Sequence, residues 1–189
     1  MALERACLLA LSPFSLFEPL KWLALDGVRI MRILGIDPGL QLTGYGCVDL
    51  RPRSHEPALI EAGVLRLKPK ASLAFRLAQL KDDLDALLEE LKPQVLVVEK
   101  LFSHYRHART AIIMGHARGV VLLAGQARGL RIEELAPTEI KRAVTGNGHA
   151  SKNHVQRAVM KQCGLRQLPD PPDVADAIAI ALCAARRLA

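Results

Sequence analysis

Hydrophobic positions along the chain form two kinds of pattern, short continuous runs and longer repeats with helical spacing. A short apolar run that is closed by Pro, Gly or an acid is typical of a strand buried on both faces. Leucines at positions 73, 77, 80, 84, 87 and 91 instead recur every three or four residues and predict a helix with Ser72 as its N-cap. Together the patterns predict strands at 33–36, 43–50, 58–67, 94–99 and 130–135, and helices at 73–91, 110–128, 138–144, 151–163 and 171–188.

The order of these elements predicts one mixed sheet. The first three strands are joined by short links, so they are expected to form an antiparallel meander. A helix, a strand–helix–strand unit and further helices follow, and this order favours an α/β fold with a five-stranded sheet flanked by helices on both faces. We expect a single domain at residues 31–189, because Met31 directly precedes the first strong strand pattern. Residues 1–30 are expected to be an N-terminal extension outside the fold.

Composition and charge indicate a protein that binds a polyanion. The 189 residues are 50% hydrophobic and 24% charged, which suits one globular domain with a full core. The net charge is +7, and because the charges of residues 1–30 cancel, the excess belongs to the domain. Nucleic acid is the main candidate for the partner of so basic a domain, although many basic proteins bind none.

The sequence contains no signal for secretion, a membrane or a zinc site. The apolar run at 6–11 resembles the core of a signal peptide, but Ser12-Pro13 interrupts it and no cleavage site follows. No segment has the uninterrupted apolar length of a membrane span. The four cysteines are scattered, which indicates neither a zinc site nor a disulfide framework. We therefore expect a cytoplasmic protein without a membrane partner.

Two acids stand at the carboxyl ends of predicted buried strands. Asp37 follows the first strand and precedes the Pro38-Gly39 turn, and Glu99 ends the fourth strand. In an open α/β sheet, ligands bind at this edge. Asp37 has two interpretations. It is either a polar residue that forms the turn, or a ligand whose buried charge is compensated by a metal ion or by a bound phosphate with its counter-ion.

The last predicted helix provides two further acids, Asp173 and Asp176, which lie three residues apart on one face. Asp173 is also explained by the favourable interaction of an acid with a helix N-terminus. Asp176 lies one turn into an almost wholly apolar helix, so it needs a cation or a buried Arg or Lys as its partner. Four converging carboxylates select a hard ion, Mg²⁺ or Mn²⁺. Two such ions about 4 Å apart are a common device for hydrolysing a phosphodiester.

Four motifs carry a family resemblance from Met31 to the C-terminus. They are Ile36-Asp37-Pro38-Gly39 with Thr43-Gly44-Tyr45-Gly46, Val98-Glu99-Lys100-Leu101-Phe102, Gly115-His116-Ala117-Arg118-Gly119 and Asp173-Val174-Ala175-Asp176-Ala177. In combination and in this order they resemble the RuvC family of bacterial Holliday-junction resolvases. The resemblance implies a ribonuclease H-like fold and a homodimer that resolves four-way DNA junctions by paired symmetric nicks, in recombination and repair. It further implies Mg²⁺ as cofactor, with Mn²⁺ as a substitute, and a branch-migration helicase complex of the RuvA and RuvB type as partner.

The resemblance also assigns roles to individual residues. Asp37, Glu99, Asp173 and Asp176 match the catalytic acids that bind two metal ions. Phe102 matches an aromatic residue that stacks on a junction base. Lys141 and Lys152 match basic residues near the scissile phosphate.

Residue chemistry alone leaves several of these roles open. Phe102 has two interpretations: it is either a residue that stacks on a base or an ordinary hydrophobic residue that fills space in the loop. Arg106 and Arg109 follow in a stretch that mixes cations with aromatic residues, which suits DNA contacts and equally suits a solvated loop. Arg118 either pairs with an acid inside the fold or reaches DNA. A basic strip flanking the glycine loop at 145–148 suits contacts with a nucleic-acid backbone; it consists of Lys141, Arg142, Lys152 and Arg157.

Three other functions fit parts of the pattern. A ribonuclease H-like protein that acts on RNA shares the first motif, and an assay that compares four-way DNA with structured RNA separates it. An ATPase of the actin and sugar-kinase type needs a second domain with another Asp-Gly phosphate loop, for which 189 residues leave no room. A DNA-binding module without catalysis ranks last, because four acids oppose phosphate binding unless a metal is present.

Overall fold

The computed structural model describes residues 23–25, 28–54, 56–100 and 108–189. In this part of the chain the strands are β1 (Leu23–Leu25), β2 (Val28–Asp37), β3 (Leu42–Leu50), β4 (Ala58–Arg66), β5 (Val95–Glu99) and β6 (Arg131–Leu135). The helices are α1 (Leu73–Leu91), α2 (Ala108–Ala127), α3 (Pro137–Thr145), α4 (Lys152–Gln162) and α5 (Pro172–Leu188). Within these ranges no helix is long and apolar enough to cross a membrane.

Five strands form the main sheet in the order β4-β3-β2-β5-β6. β2, β3 and β4 pair antiparallel as the predicted meander, while β5 runs parallel to β2 and β6 runs parallel to β5. The antiparallel strands are joined by short links, whereas each parallel neighbour is reached through a crossover that contains a helix. The predicted mixed five-stranded sheet is confirmed, and apart from β2 the predicted element bounds agree closely with the structure.

β1 is a short strand that the sequence pattern does not predict. Its residues 23–25 pair antiparallel with residues 28–30, so that β2 begins at Val28 rather than at Ile33. The expected domain boundary at Met31 therefore falls inside β2, and the paired residues upstream of it belong to the sheet. A three-residue strand is too short to show a period-two pattern, and its pairing partner is evident only in the fold.

Alternation along the strands divides the core into two layers. On one face of the sheet, Ile33 and Val97 pack in a cluster with the apolar side chains of α3, α4 and α5. On the other face, Leu34 and Leu96 pack with α1 and α2. α5 is buried along most of its length, as its apolar sequence predicts.

Glycines in β2 and β3 let α5 lie directly on the sheet. A Cβ added at Gly44 would lie 2.1 Å from the carbonyl oxygen of Asp173, and one at Gly46 would lie 2.8 Å from the Cα of Ile178. Gly35 makes a similarly close approach to α5. The Thr-Gly-Tyr-Gly motif therefore provides a flat surface on which the first turns of α5 rest, and this contact sets where the acids of α5 lie.

Candidate active site

The paired ends of β2 and β5 bring Asp37 and Glu99 together. Ile36 and Val98 are direct partners in the parallel ladder, so the two acids are the next residues on neighbouring strands. Side chains alternate between the two faces along a strand, so Asp37 lies on the same face as Ile33, and Glu99 on the same face as Val97. This is the face that α5 covers. The neighbourhood of these two acids thus results from strand register alone.

The first turns of α5 add Asp173 and Asp176 at the same edge. α5 begins with proline at its first helical position, where the ring is tolerated and the fixed φ favours a helix start. The backbone of Asp173 rests on Gly44, and Gly44 is the direct cross-strand partner of Asp37. The start of α5 is therefore held beside the end of β2.

All four acids line one cavity of about 380 Å³. α3 contributes Lys141 to its wall, α4 contributes Lys152, and α2 contributes Met114. The remaining lining residues are Pro38, Gly39, Pro137, Ile140, Val155 and Ala179. The cavity is a carboxylate pocket with two cations on its rim, and Met114 is a lining residue that its apolar sequence context does not reveal.

The turn after β2 is held by a residue other than Asp37. The buried Thr43 hydroxyl donates to the carbonyl oxygen of Gly39 at 2.7 Å and accepts from its backbone N–H at 3.2 Å. Because Thr43 supplies these turn contacts, the interpretation of Asp37 as the residue that forms the turn loses its support. Asp37 instead lines the cavity.

Burial and mutual repulsion disfavour the charge of Asp37. Burial is the largest cause that raises the pKa of Asp37 to about 7, and the charges of Asp176, Glu99 and Asp173 raise it further. The pKa of Glu99 is also raised, first by burial and then by Asp176. Lys152 opposes both shifts. Two neighbouring acids are thus poised to take up a proton or a cation.

Lys152 is the partner of Asp176 within the fold. Its Nζ lies 3.3 Å from Oδ2 of Asp176, and the charge of that carboxylate is the main cause of the raised pKa of Lys152. The Lys152 side chain is 74% exposed, so the ion pair adds little to stability. An exposed ammonium beside the carboxylates is instead available to an anionic ligand.

The donor chemistry of the cavity fits a hard divalent cation. Four carboxylates supply only oxygen ligands, and the pKa of Asp37 is raised first by burial and then by the charges of the other three acids. In the part of the chain that the structure describes, no three acidic, His or Cys side chains are grouped tightly enough to form a complete metal-binding set. The acids therefore have the chemistry of a metal site and share a cavity, without a ready-made cluster.

The other predicted site residues lie either outside the described part of the chain or at other places in the fold. Phe102 and Arg106 lie outside the described residues, and Arg109 falls within α2 with its side chain outside them. Within the basic strip, Lys141 and Lys152 line the cavity. Arg142 lines a separate cavity beside α5, and Arg157 is exposed on α4.

Arg118 contacts acids inside the fold. Its guanidinium donates to the carboxylate of Glu134 on β6, and its Nε donates to the carbonyl oxygen of Glu99 at 3.4 Å. Of the two roles left open for Arg118, the structure shows the internal ion pair. Arg118 thereby ties α2 to the end of β5, next to the catalytic-site candidate Glu99.

The chain is similar to proteins and solved structures that carry the name RuvC. A protein from Rhodopirellula baltica named crossover junction endodeoxyribonuclease RuvC is 45% identical over 152 residues, which cover 80% of this chain and 84% of that protein. The structure of Thermus thermophilus RuvC is 31% identical with a TM-score of 0.74, covering 84% of this chain and 95% of that one. The structure of T. thermophilus RuvC in complex with Holliday junction substrate is 32% identical with a TM-score of 0.75, covering 83% of this chain and 96% of that one.

The family match spans the whole site. The model of the family described as crossover junction endodeoxyribonuclease RuvC matches residues 33–184, which run from the middle of β2 to the last turns of α5. All four cavity acids fall within this range. The likeness to the T. thermophilus structures also confirms the expected ribonuclease H-like fold. The chain therefore belongs to the RuvC family of crossover junction endodeoxyribonucleases.

Proposed function

We propose that this protein resolves four-way DNA junctions by paired symmetric nicks, with Asp37, Glu99, Asp173 and Asp176 as its catalytic acids. The observation that carries the proposal is their convergence on one cavity from three separate elements, β2, β5 and α5. The family match and the T. thermophilus RuvC structure with Holliday junction substrate support the choice of substrate. The net charge of +7 suits a DNA backbone.

We further propose Mg²⁺ as the cofactor, with Mn²⁺ as a substitute and two ions in each site. Asp37, Glu99, Asp173 and Asp176 would hold them, since carboxylate oxygens are the ligands that these ions prefer. When bound, such ions activate a water molecule and stabilise the leaving oxygen of a phosphodiester.

The side chains around the acids have separate tasks. Glu99 and Asp37 are fixed by strand register, and α5 fixes the other two acids through its contact with Gly44. Lys152 is exposed and lies within contact of Asp176, so its ammonium can pair with the phosphate that is cleaved. Lys141 lines the same wall of the cavity and adds a second positive charge there.

Other DNA contacts and partners belong to the same proposal. Phe102 is proposed to stack on a junction base, with Arg106 and Arg109 contacting the DNA near it. A RuvA- and RuvB-type helicase complex is proposed to deliver the junction, and the cytoplasm is the proposed location. These assignments follow from family membership and from the sequence around Phe102.

Cleavage of model substrates tests the proposed function. A synthetic four-way DNA junction, a linear duplex and a structured RNA of matched length are incubated with the protein and Mg²⁺. We expect paired nicks in the four-way DNA alone and no cleavage when EDTA replaces Mg²⁺. Equal or faster cleavage of the RNA would instead favour a ribonuclease, and failure to cleave any substrate would refute the proposal.

The exposed face of α2 is the proposed dimer contact. Ala117, Val121 and Ala124 face the core. Ile112 and Leu123 lie on the opposite side of the helix, where their exposed fractions are 63% and 61%. The same exposed surface includes Gly115 and Gly119, where an added Cβ would meet nothing within 4 Å. Large apolar side chains flanking small residues suit close packing against a second copy of the helix. A two-fold dimer places two equivalent sites on a two-fold junction, which explains paired symmetric nicks.

Leu123→Glu is expected to convert the dimer into a monomer, because it places a charge in the proposed apolar contact. Analytical ultracentrifugation at micromolar concentration measures the change, and the monomer is expected to nick single strands without pairing the two cuts. Ile60→Glu is the matched control, since Ile60 is 47% exposed on the edge strand β4. A Leu123→Glu protein that stays dimeric would exclude this surface.

Mg²⁺ affinity is expected to fall as the pH is lowered from 8 to 6. The pKa of Asp37 is raised to about 7, so the carboxyl is mostly protonated at pH 6 and a bound ion must displace that proton. The competition weakens binding about tenfold over this range. Calorimetric titration in two buffers of different ionisation enthalpy measures both the affinity and the protons released. Equal affinities at pH 6 and pH 8 would contradict the predicted proton displacement.

A further inference from the structure

A second cavity adjoins the candidate active site. It measures about 400 Å³ and shares Gly39, Met114 and Asp173 with the carboxylate cavity. Its remaining wall is formed by Leu40 and Gln41 of the β2–β3 turn, by Leu42 at the start of β3, and by Arg76 and Ile113. Because the two cavities share three lining residues, a DNA strand that lies across the four acids would run next to this second space.

Arg76 is anchored at this second cavity, and in the described part of the chain no acidic side chain forms an ion pair with it. Its Nη1 donates to the carbonyl oxygen of Leu40 at 3.1 Å, while its Nε is buried with no acceptor among the described residues. No ion pair found in that part of the chain includes Arg76. Among the described residues, therefore, nothing accepts a hydrogen bond from the buried Nε of Arg76 and no carboxylate pairs with its charge.

Arg32 provides a comparison for Arg76, because it is an arginine held by contacts within the protein. Its Nη1 also donates to a backbone carbonyl, that of Leu91, at 3.0 Å. Its Nε and Nη2, however, donate to the two carboxylate oxygens of Asp49 at 2.8 and 2.9 Å. Arg76 has the equivalent backbone anchor, but no carboxylate within the described ranges takes the place that Asp49 has beside Arg32. The comparison points to an anion that is supplied from outside the protein.

The surroundings of Arg76 are also basic. Leu42 pairs with Arg66 at the end of β4, and the Leu67 backbone N–H donates to the carbonyl oxygen of Gln41 at 3.0 Å. This pairing places the end of β4 at the same sheet edge as the β2–β3 turn. Lys68 and Lys70 follow directly in the loop to α1, and both are exposed. Basic residues therefore follow the end of β4 next to the turn that lines the second cavity, while Asp173 is an acid in the cavity lining itself.

We propose that Arg76 binds a backbone phosphate of the DNA strand beside the cleavage site. The inference rests on the proposed function, since it extends the path of the same substrate. Arginine suits this role because its guanidinium offers several donors in a rigid plane that matches phosphate oxygens. The contact with Leu40 orients the guanidinium toward the second cavity. A phosphate held there fixes the register of the strand relative to the four acids, so Arg76 is a substrate-positioning residue.

The test compares Arg76→Gln with Arg51→Gln. Arg51 is exposed in the β3–β4 loop, which follows Leu50 at the opposite edge of the sheet from Asp37, so its replacement removes the same charge far from the cavity. Binding of a synthetic four-way junction is measured in EDTA over a range of salt concentrations. Arg76→Gln is expected to lower the slope of log affinity against log salt by about 0.9, the loss of one phosphate contact. Arg51→Gln is expected to leave the slope unchanged, and Arg76→Lys is expected to restore most of it.

Cleavage kinetics in Mg²⁺ separate this role from a structural one. A lost phosphate contact is expected to raise KM several-fold at an unchanged melting temperature. An Arg76→Gln protein with the wild-type salt slope would overturn the inference, whether its kcat is normal or lowered through movement of the Leu40 turn. A wild-type protein that binds the junction without cleaving it would contradict the proposed nuclease function, while the salt slopes would still decide the role of Arg76.

Discussion

Asp37→Asn is expected to abolish Mg²⁺-dependent cleavage while the protein still binds the four-way junction. Asp37 lines one cavity with Glu99, Asp173 and Asp176, and the charges of all three acids raise its pKa. Asn keeps the shape of the side chain and removes its charge, which weakens the hold on a divalent cation. Cation stabilisation of the transition state is worth several kcal/mol, so the rate should fall roughly 10³-fold or more. Single-turnover cleavage and a gel-shift assay measure the two effects.

The same substitution is expected to stabilise the metal-free protein at high pH. Folding raises the pKa of Asp37 to about 7, so the folded state binds this proton more tightly than the unfolded state does. The resulting stability is present below the usual pKa of Asp and is lost as the pH rises through about 7. Asn remains neutral and avoids that loss. At pH 8 its free energy of unfolding should exceed that of the wild type by roughly 2–4 kcal/mol, and near pH 4 the two should agree.

Asp49→Asn is the matched control for these measurements. It removes a carboxylate that pairs with Arg32 close to the opposite end of β2 and β3. We expect a lower free energy of unfolding and an unchanged cleavage rate, the reverse of the Asp37→Asn result. Urea titrations at pH 8 and pH 4 in EDTA provide the stabilities. Wild-type cleavage by the Asp37→Asn protein would show that Asp37 is not a catalytic ligand.

The position of Asp37 and Glu99 could be predicted because it depends on local rules. A buried strand that ends in an acid places that acid at the carboxyl edge, and parallel neighbours end at the same edge. The pairing of Ile36 with Val98 then makes the two acids adjacent. The helical spacing of Asp173 and Asp176 is likewise a local property. Fold class and the group of four acids were therefore accessible from the order and pattern of residues.

Contacts that depend on tertiary packing could not be predicted in this way. The ion pair between Lys152 and Asp176 joins α4 to α5. The sequence around Lys152 does not distinguish it from other lysines as the partner of Asp176. Met114 lines the cavity because of where α2 packs in the fold. β1 is too short to show a pattern of its own. Each of these features depends on how the elements pack, a property that the sequence pattern of one element does not contain.

Gly44→Ala is expected to impair cleavage by displacing α5. An added Cβ would lie 2.1 Å from the carbonyl oxygen of Asp173 and 2.7 Å from its carbonyl carbon. Both are backbone atoms, so the clash is relieved only if the helix or the strand moves. α5 carries Asp173 and Asp176, and a shift of its first turn moves these two acids away from Asp37. Overpacking of this kind costs about 1–3 kcal/mol of stability.

A displacement of about 1 Å in a catalytic group can lower a rate roughly 10²-fold, so the loss of activity should be much larger than the loss of folded protein. Leu80→Ala provides the control, because Leu80 is fully buried on the other face of the sheet, among α1 and α2 side chains. Leu80→Ala is expected to lower the free energy of unfolding by about 2–5 kcal/mol without moving α5. Cleavage rates and Mg²⁺ affinities are compared at a temperature where melting curves show both variants folded. If Gly44→Ala loses cleavage and Mg²⁺ affinity while Leu80→Ala retains them, the glycine contact is the feature that places the acids. Wild-type activity in folded Gly44→Ala would instead mean that the site tolerates the shift of α5.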